Sequence, residues 1–287
     1  MPDRDRPPAP GAAAMPPPDD RHDLELPPFS RRLYGWFMWY VRRYFRRHFH
    51  ALRLLQDGAG RAVPPDIAGE PAIFYANHPG WWDPLTFLLL ADRLYPDRLN
   101  YGPIDARALG KYRFMERIGF LGIEPDTRRG AARFLKAARA ASRRTDVIFW
   151  ITSQGEFADP RMRPPGIRPG VAHAAAAAER GLIVPVAVEY PFWSERLPEA
   201  LVAFGPALRI ADASRRDAKE WTAVLETALA DTQDRLARAA IRRDPGAFTV
   251  LASGSVGVGW IYDGLRRLGA WRRGERFDAS HGGERLG

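Results

Sequence analysis

The chain has no cysteine. That excludes disulfides, thiol nucleophiles and cysteine-ligated zinc, and it fits an intracellular compartment. Lysine is nearly absent too: Lys111, Lys136 and Lys219 are the only lysines among 43 basic residues, so the positive charge is almost wholly arginine. Arginine suits bidentate contacts with phosphate and carboxylate, although an Arg- and Ala-rich chain also follows from a GC-rich genome. Also missing is a G-x-S-x-G nucleophile motif. The nearest approach, Ser253-Gly254-Ser255-Val256-Gly257, lacks the first glycine, so a lipase or esterase of that design has no nucleophile here. The opening stretch MPDRDRPPAPGAAAMPPPDD has no apolar core, so no secretory signal is expected. The apolar segment 247–262 is Gly-rich and shorter than the roughly 20 residues a spanning helix needs, which predicts a packed or interfacial helix instead.

What is present is strongly basic: the net charge is +9 and the pI about 10.2. Such a balance points to an anionic partner, either nucleic acid or an anionic lipid surface. No recognised nucleic-acid module is found, so nucleic acid is not expected as a partner. With 287 residues and a 46% hydrophobic share, one large domain with appendages is the simplest reading. Residues 1–28 carry nine prolines and read as a disordered tail. Residues 29–60 read as an amphipathic helical element, with Gly35 as the place where it could break. Leu33, Trp36, Phe37, Tyr40, Tyr44, Ala51 and Leu55 recur on one side of it, and Arg42, Arg46 and Arg53 fall opposite. Two alternatives stand: a core-packing helix with solvated arginines, or a helix whose aromatic and Arg residues sit at the headgroup level of a bilayer.

Residues 61–245 form the predicted main domain, and 246–287 an apolar helix with a mobile tail from Arg272. Short β-branched or apolar runs at 72–76, 147–151 and 183–188 alternate with helical patterns at 84–94, 130–143, 171–179 and 215–240. That alternation predicts an α/β fold, a mixed sheet flanked by helices, with sites at the carboxyl ends of strands.

At one such end the sequence reads I-F-Y-A-N-H-P-G-W-W-D-P, delivering His78 and, five positions on, Asp83. A carboxylate beside an imidazole fixes its tautomer and raises its basicity, so the pair suits proton transfer. The plain alternative is a histidine closing a strand and an Asp capping the helix that opens at Pro84. Neither a cysteine nor a second clustered histidine stands nearby, so no metal site is expected.

The run N-H-P-G-W-W-D, residues 77–83, resembles the first block of the glycerolipid and lysophospholipid O-acyltransferases, the PlsC-like family. Three later blocks follow in the same order, and the likeness spans about residues 70–210. In 108–138 a strand over Gly119 to Asp126 precedes Arg128 and Arg129 at a helix start, an anion-binding arrangement. In 148–175 the family's usual P-E-G-T-R is replaced by Ser153-Gln154-Gly155-Glu156-Phe157, with Arg161, Arg163 and Arg168 in the following loop. The fourth block is Ile183-Val184-Pro185-Val186, resembling the strand that lines the family's acyl pocket; Ala203-Phe204-Gly205-Pro206 resembles its closing strand.

The resemblance implies an acyltransferase domain that moves a fatty acyl chain from acyl-CoA or acyl carrier protein to the hydroxyl of a lysophospholipid such as lysophosphatidic acid. No cofactor is implied. His78 would deprotonate the hydroxyl and Asp83 would orient His78, with the acceptor supplying the oxygen that a serine hydrolase takes from itself. Asn77, Arg128, Arg129, Gln154, Gly155, Glu156, Arg168 and Pro185 would bind substrates, and amides near Gly155 would polarise the thioester or hold the acceptor. The altered third block leaves a lipid alcohol without phosphate, such as a glycosylated isoprenoid or an aminolipid, as an alternative acceptor. A non-enzymatic basic protein that binds lipid surfaces is the reading from another class. The resemblance also implies docking of 29–60 on the cytoplasmic face of a membrane, peripherally or monotopically.

Overall fold

The computed structural model describes residues 26–211 and 216–255. In chain order its elements are α1 (Arg31–His48), β1 (Ala51–Leu55), β2 (Ala72–Ala76), α2 (Asp83–Leu94), β3 (Leu99–Asp105), α3 (Ala106–Lys111), a 3-10 turn (Arg113–Ile118), β4 (Phe120–Ile123) and α4 (Arg128–Ala141). There follow β5 (Val147–Thr152), α5 (Pro169–Ala177), β6 (Gly181–Glu189), β7 (Glu199–Phe204), β8 (Leu208–Ile210), α6 (Ala218–Arg242) and β9 (Phe248–Ser253). The strands join in one mixed sheet of order β4-β3-β5-β2-β6-β7-β1-β9, with β8 also on β6. The first five are mutually parallel; β7 runs against β6, β1 runs with β7, and β9 runs against β1.

The central strands are apolar on both faces because both faces are covered, as a parallel sheet requires. Phe74, Val184 and Trp150 pack against α1 and α2 through Phe37, Met38, Val41, Leu88 and Leu89. The alternate residues Ile73, Tyr75, Phe149 and Ile183 pack against α4, α5 and α6 through Ala138, Val171, Leu225 and Leu229. Tyr75 fastens the second layer by donating its hydroxyl to the carbonyl of Leu225 at 3.0 Å. The α/β expectation thus holds, and the strands and helices expected between 72 and 242 are present within a few residues of their predicted bounds.

The ends of the chain differ from expectation. The helix beginning near Phe29 stops at His48, because Phe49 turns to extended backbone, and it runs through Gly35 unbroken. Residues 51–55 are a strand clamped between β7 and β9, so Arg53 is buried and bonded to Glu199. Tertiary pairing overrides the helix preference of the Ala-Leu-Arg-Leu-Leu run. Likewise 248–253 is a strand rather than the start of an apolar helix. Residues 51–55 and 248–253 belong to the central sheet, so boundaries drawn at 60 and 245 do not separate folding units. Order also begins before residue 29, since Leu26 is buried and the carbonyl of Pro27 accepts from Tyr101. The rest of the proline-rich tail, the remainder of segment 247–262 beyond residue 255, and the tail from Arg272 lie outside the described residues.

Candidate active site

The parallel strands β5, β2 and β6 end along one edge, and the chemistry gathers there. Beyond Ala76 the chain leaves β2, and Asn77 continues the pairing with its side chain: Nδ2 donates to the carbonyl of Val188 at 3.0 Å and Oδ1 accepts from the Val188 amide at 2.8 Å. With both amide atoms used and no exposure, Asn77, expected to bind substrate, serves here as a splice between strands. The splice fixes the direction in which the next residue leaves the sheet. His78 is held by its backbone, the amide donating to Gln154 Oε1 at 2.7 Å and the carbonyl accepting from Ala158 at 3.0 Å.

The turn His78-Pro79-Gly80 then brings the chain back so that Asp83 opens α2 with its carboxylate under the imidazole. His78 Nδ1 lies 2.5 Å from Asp83 Oδ2, and Oδ1 accepts from the hydroxyl of Tyr190 at 2.7 Å. The Gly80 amide adds a longer contact of 3.3 Å to Oδ2. Tyr190 itself is 3.0 Å from Thr86 Oγ1 one turn into α2. The cap position of α2 is taken by Trp82, with no side-chain bond to the first turn, so the Asp83 carboxylate is spent on His78 and Tyr190 rather than on helix capping. The plain alternative for Asp83 therefore fails.

Burial pushes the Asp83 carboxyl above its usual range, against the pull of hydrogen bonds from His78 and Tyr190. Burial, with the carboxylate alongside, pushes the Tyr190 phenol well up, so it remains a donor. An ionised Asp83 requires the proton of a neutral His78 on Nδ1, which leaves the Nε2 lone pair pointing away from the carboxylate. Asp83 is fully buried while the His78 side chain keeps 16% of its exposure, so the imidazole is the accessible end of a buried relay. Phe157, 63% exposed, stands edge-on to the imidazole with ring centroids 4.7 Å apart.

The third block sits beside this pair, and most of its polar groups are engaged within the protein. Gln154 is buried, its Oε1 on the His78 amide and its Nε2 donating to the Pro165 carbonyl at 2.8 Å. It is a brace between β2 and the 155–165 loop. Gly155 adopts positive φ, and a Cβ there would meet Arg168 Cδ at 2.6 Å, which explains the glycine. Its amide already donates to the Thr152 carbonyl at 3.3 Å, so the expected role in polarising a thioester does not fall to that group. Glu156 is exposed.

The loop arginines are each matched with a carboxylate: Arg161 with Asp159, Arg163 with Asp234 and Arg168 with Asp126, at 2.6, 2.7 and 2.7 Å. Arg168 also donates to the Gln154 carbonyl, tying the entrance of α4 to the third block. Arg128 and Arg129 are exposed on the first turn of α4, whose cap is Thr127, and among the described residues no contact joins them to the dyad.

Pro185 stands apart from the apolar cleft. It lies mid-strand and buried, on the α6 side, where Gly205 closes on its ring and where the β7–β8 break removes the need for its missing amide hydrogen. The apolar cleft is on the other face of the sheet. About 50 Å³ in volume, it is walled by Pro84, Phe87, Tyr101, Ile118, Trp150 and Thr152 and begins one residue from Asp83. Trp150 is held there by stacking on Phe87 at 4.9 Å and by donating Nε1 to Asn100 Oδ1 at 3.0 Å.

Tyr190 and Phe157 escape sequence reasoning about the site. The available signal was positional: Tyr190 directly follows β6, as His78 follows β2 and Gln154 follows β5, and residues just past parallel strands share one edge. No family model matches the chain, and no curated protein matches it.

Proposed function

We propose that the chain is an O-acyltransferase of the PlsC-like kind, moving a fatty acyl chain from the thioester of acyl-CoA or acyl carrier protein to a lipid hydroxyl, a lysophospholipid such as lysophosphatidic acid being the leading acceptor. The observation that carries the reading is the relay Tyr190–Asp83–His78, buried at one end, accessible at the other, and bordered by an apolar cleft. His78 Nε2 takes the acceptor's hydroxyl proton as its oxygen attacks the thioester carbonyl. Collapse of the tetrahedral intermediate breaks the C–S bond, and the imidazolium returns the proton to the departing thiolate. Asp83 stabilises the imidazolium in between. No nucleophile on the protein is needed. The cleft beside Asp83 is suited to the apolar chain of the donor.

A specific observation favours the second acceptor class within the same chemistry. The three arginines of the third-block loop are each occupied by a carboxylate of the chain itself, which leaves that loop poorly suited to bind a phosphate and raises the standing of a phosphate-free lipid alcohol. Arg128 and Arg129 remain as exposed cations for a phosphorylated acceptor.

The reading includes a membrane surface as partner, at the cytoplasmic face and in peripheral or monotopic attachment. Trp36, Trp39 and Tyr40 of α1 are exposed, on a face shared with Arg32, Arg43 and Arg47, and Trp81 beside the dyad is exposed too. Aromatic rings with arginine flanks suit the headgroup level. Among the described residues no helix is long and apolar enough to cross a membrane.

The test is incubation of purified protein in lipid vesicles with radiolabelled palmitoyl-CoA and a panel of lysophospholipids and phosphate-free lipid alcohols, beside His78→Ala. Formation of an ester product that requires His78 is the expected result. A folded protein that esterifies no member of the panel, yet binds the vesicles, would leave the lipid-surface reading in its place.

A further inference from the structure

We infer that the pocket between α1, α2 and β9, on the flank of the helix and apart from the His78 relay, binds a phosphate group. The pocket measures about 250 Å³ and is lined by Arg42, Phe45, Arg46, Leu89, Arg93 and Ser253. Phe45 and Leu89 are buried and form an apolar floor, and three arginines, Arg42 and Arg46 from α1 and Arg93 from α2, line the pocket around it. Arg42 Nη2 donates to both oxygens of Asp92 at 2.6 and 2.8 Å, which consumes the carboxylate contributed by α2. Among the described residues neither Arg46 nor Arg93 is paired with a carboxylate, so the rim keeps an excess of two positive charges. Arg42 and Arg46 stand four apart on one helix, a mildly destabilising like-charge spacing, and Asp92 answers only the first of them. An anion with several acceptor oxygens is the chemistry that answers neighbouring guanidinium groups.

The phosphate can come from a lipid headgroup or from a soluble ion. The wall supplied by α1 favours the first source. Trp39, Arg42, Arg43 and Arg46 succeed one another along α1 at helical spacing, so the pocket borders the face that exposes Trp36, Trp39 and Tyr40. A headgroup seated among the arginines would leave its tails against that aromatic face. The lipid source rests on the lipid-facing reading of α1; the phosphate site itself does not, nor does it depend on acyl transfer.

The experiment compares the whole protein with the double variant Arg46→Gln/Arg93→Gln, and with Arg238→Gln/Arg242→Gln, which removes equal charge from exposed positions on α6. Partitioning is measured onto phosphatidylcholine vesicles with and without phosphatidic acid, and the arginine Nε–H resonances are followed during titration with inorganic phosphate. For the pocket variant the preference for phosphatidic acid should fall about thirtyfold, taking the usual worth of two arginines near an anionic surface, while the α6 variant loses much less. Inorganic phosphate that shifts the Arg46 and Arg93 signals without any lipid preference supports the site with a soluble source. Equal losses in the two double variants, or neither lipid preference nor phosphate shifts, overturn it. Transfer to detergent-dispersed acceptor is measured in parallel: absence of transfer in the unmodified protein sinks the acyltransferase reading while leaving the pocket result standing, and the pocket variant should transfer as the unmodified protein does.

Discussion

Among the described residues two histidine–carboxylate pairs share nearly the same geometry, and only one of them presents its imidazole at the surface. His78 Nδ1 meets Asp83 at 2.5 Å; His50 Nδ1 meets Glu199 at 2.6 Å. Both lie on the same edge of the sheet, because β1 runs opposite to β2, and Phe49 separates them by packing on Trp82 and Tyr190. Their surroundings differ. Glu199 also accepts from Arg53 Nε at 2.9 Å, Arg53 lies over the ring of Trp193, and the side chains of His50 and Glu199 keep 1% and 2% of their exposure. His50 Nε2 is buried with no hydrogen-bond partner among the described residues. A pair of this kind is an internal clasp. What distinguishes His78 is not its carboxylate but an imidazole that stays open to solvent.

The comparison is broken most sharply by truncating each histidine's pair in turn. His78→Ala should lower the transfer rate by about three orders of magnitude, the usual worth of a general base, in protein that remains folded. Glu199→Gln should do the reverse. It breaks a buried ion pair with Arg53 and should cost about 3 kcal/mol, seen as a lower midpoint in denaturant, while transfer per folded molecule stays as it was. Were Glu199→Gln to abolish transfer in folded protein, the division between working pair and clasp would fail.

Tyr190→Phe probes what makes the first pair work. Loss of the hydroxyl removes one of the hydrogen bonds that hold the Asp83 carboxyl down against burial, so its titration moves to higher pH. The rate should drop about tenfold, and the acid limb of the pH–rate profile should move upward, with KM little changed. A uniform loss of rate with an unmoved acid limb would make Tyr190 a packing residue only. Trp150→Leu is expected to have a smaller effect still: it deepens the apolar cleft and should shift donor preference toward longer acyl chains by a few-fold in kcat/KM, measured across donors of graded length.

These differences mark how far the sequence could be read. The pair His78–Asp83 was legible because both members lie in one local run, and the parallel core because β2, β5 and β6 are compact apolar segments separated by helical spacing. The clasp was not legible, since His50 and Glu199 are 149 positions apart and Arg53 sits at a place where helical periodicity continues smoothly from α1. Only pairing with β7 and β9 turns that run into a strand and draws the arginine inside. The same limit applies to Tyr190, 107 positions from Asp83, and to the arginines of the third block, whose neutralising partners Asp126 and Asp234 come from distant segments. Sequence spacing locates donors of charge; it does not say which of them folding has already satisfied.

A third carboxyl on the same edge extends the comparison. Glu189 ends β6 between Val188, which pairs with Asn77, and Tyr190, which holds Asp83. Arg161, Arg163 and Asp159 are the charged groups around it, yet its Oε1 is buried and has no hydrogen-bond partner among the described residues. Burial pushes its carboxyl up to about 7, with Arg163 and Arg161 opposing the rise. Among the described residues Asp83 has three donors and Glu199 has two, whereas Glu189 Oε1 has none to offset its burial. The sign of the pH effect follows. Between about 4.5 and about 7 the unfolded chain releases this proton while the folded chain keeps it, so stability falls as pH rises through that window and levels off above it. Solvent screening of a half-buried group brings the expected contribution to about 1 kcal/mol. Glu189→Gln should flatten the slope of unfolding free energy against pH in that window. An unchanged slope would mean that Glu189 is ionised in the folded protein, with Arg161 or Arg163 turned toward it in solution.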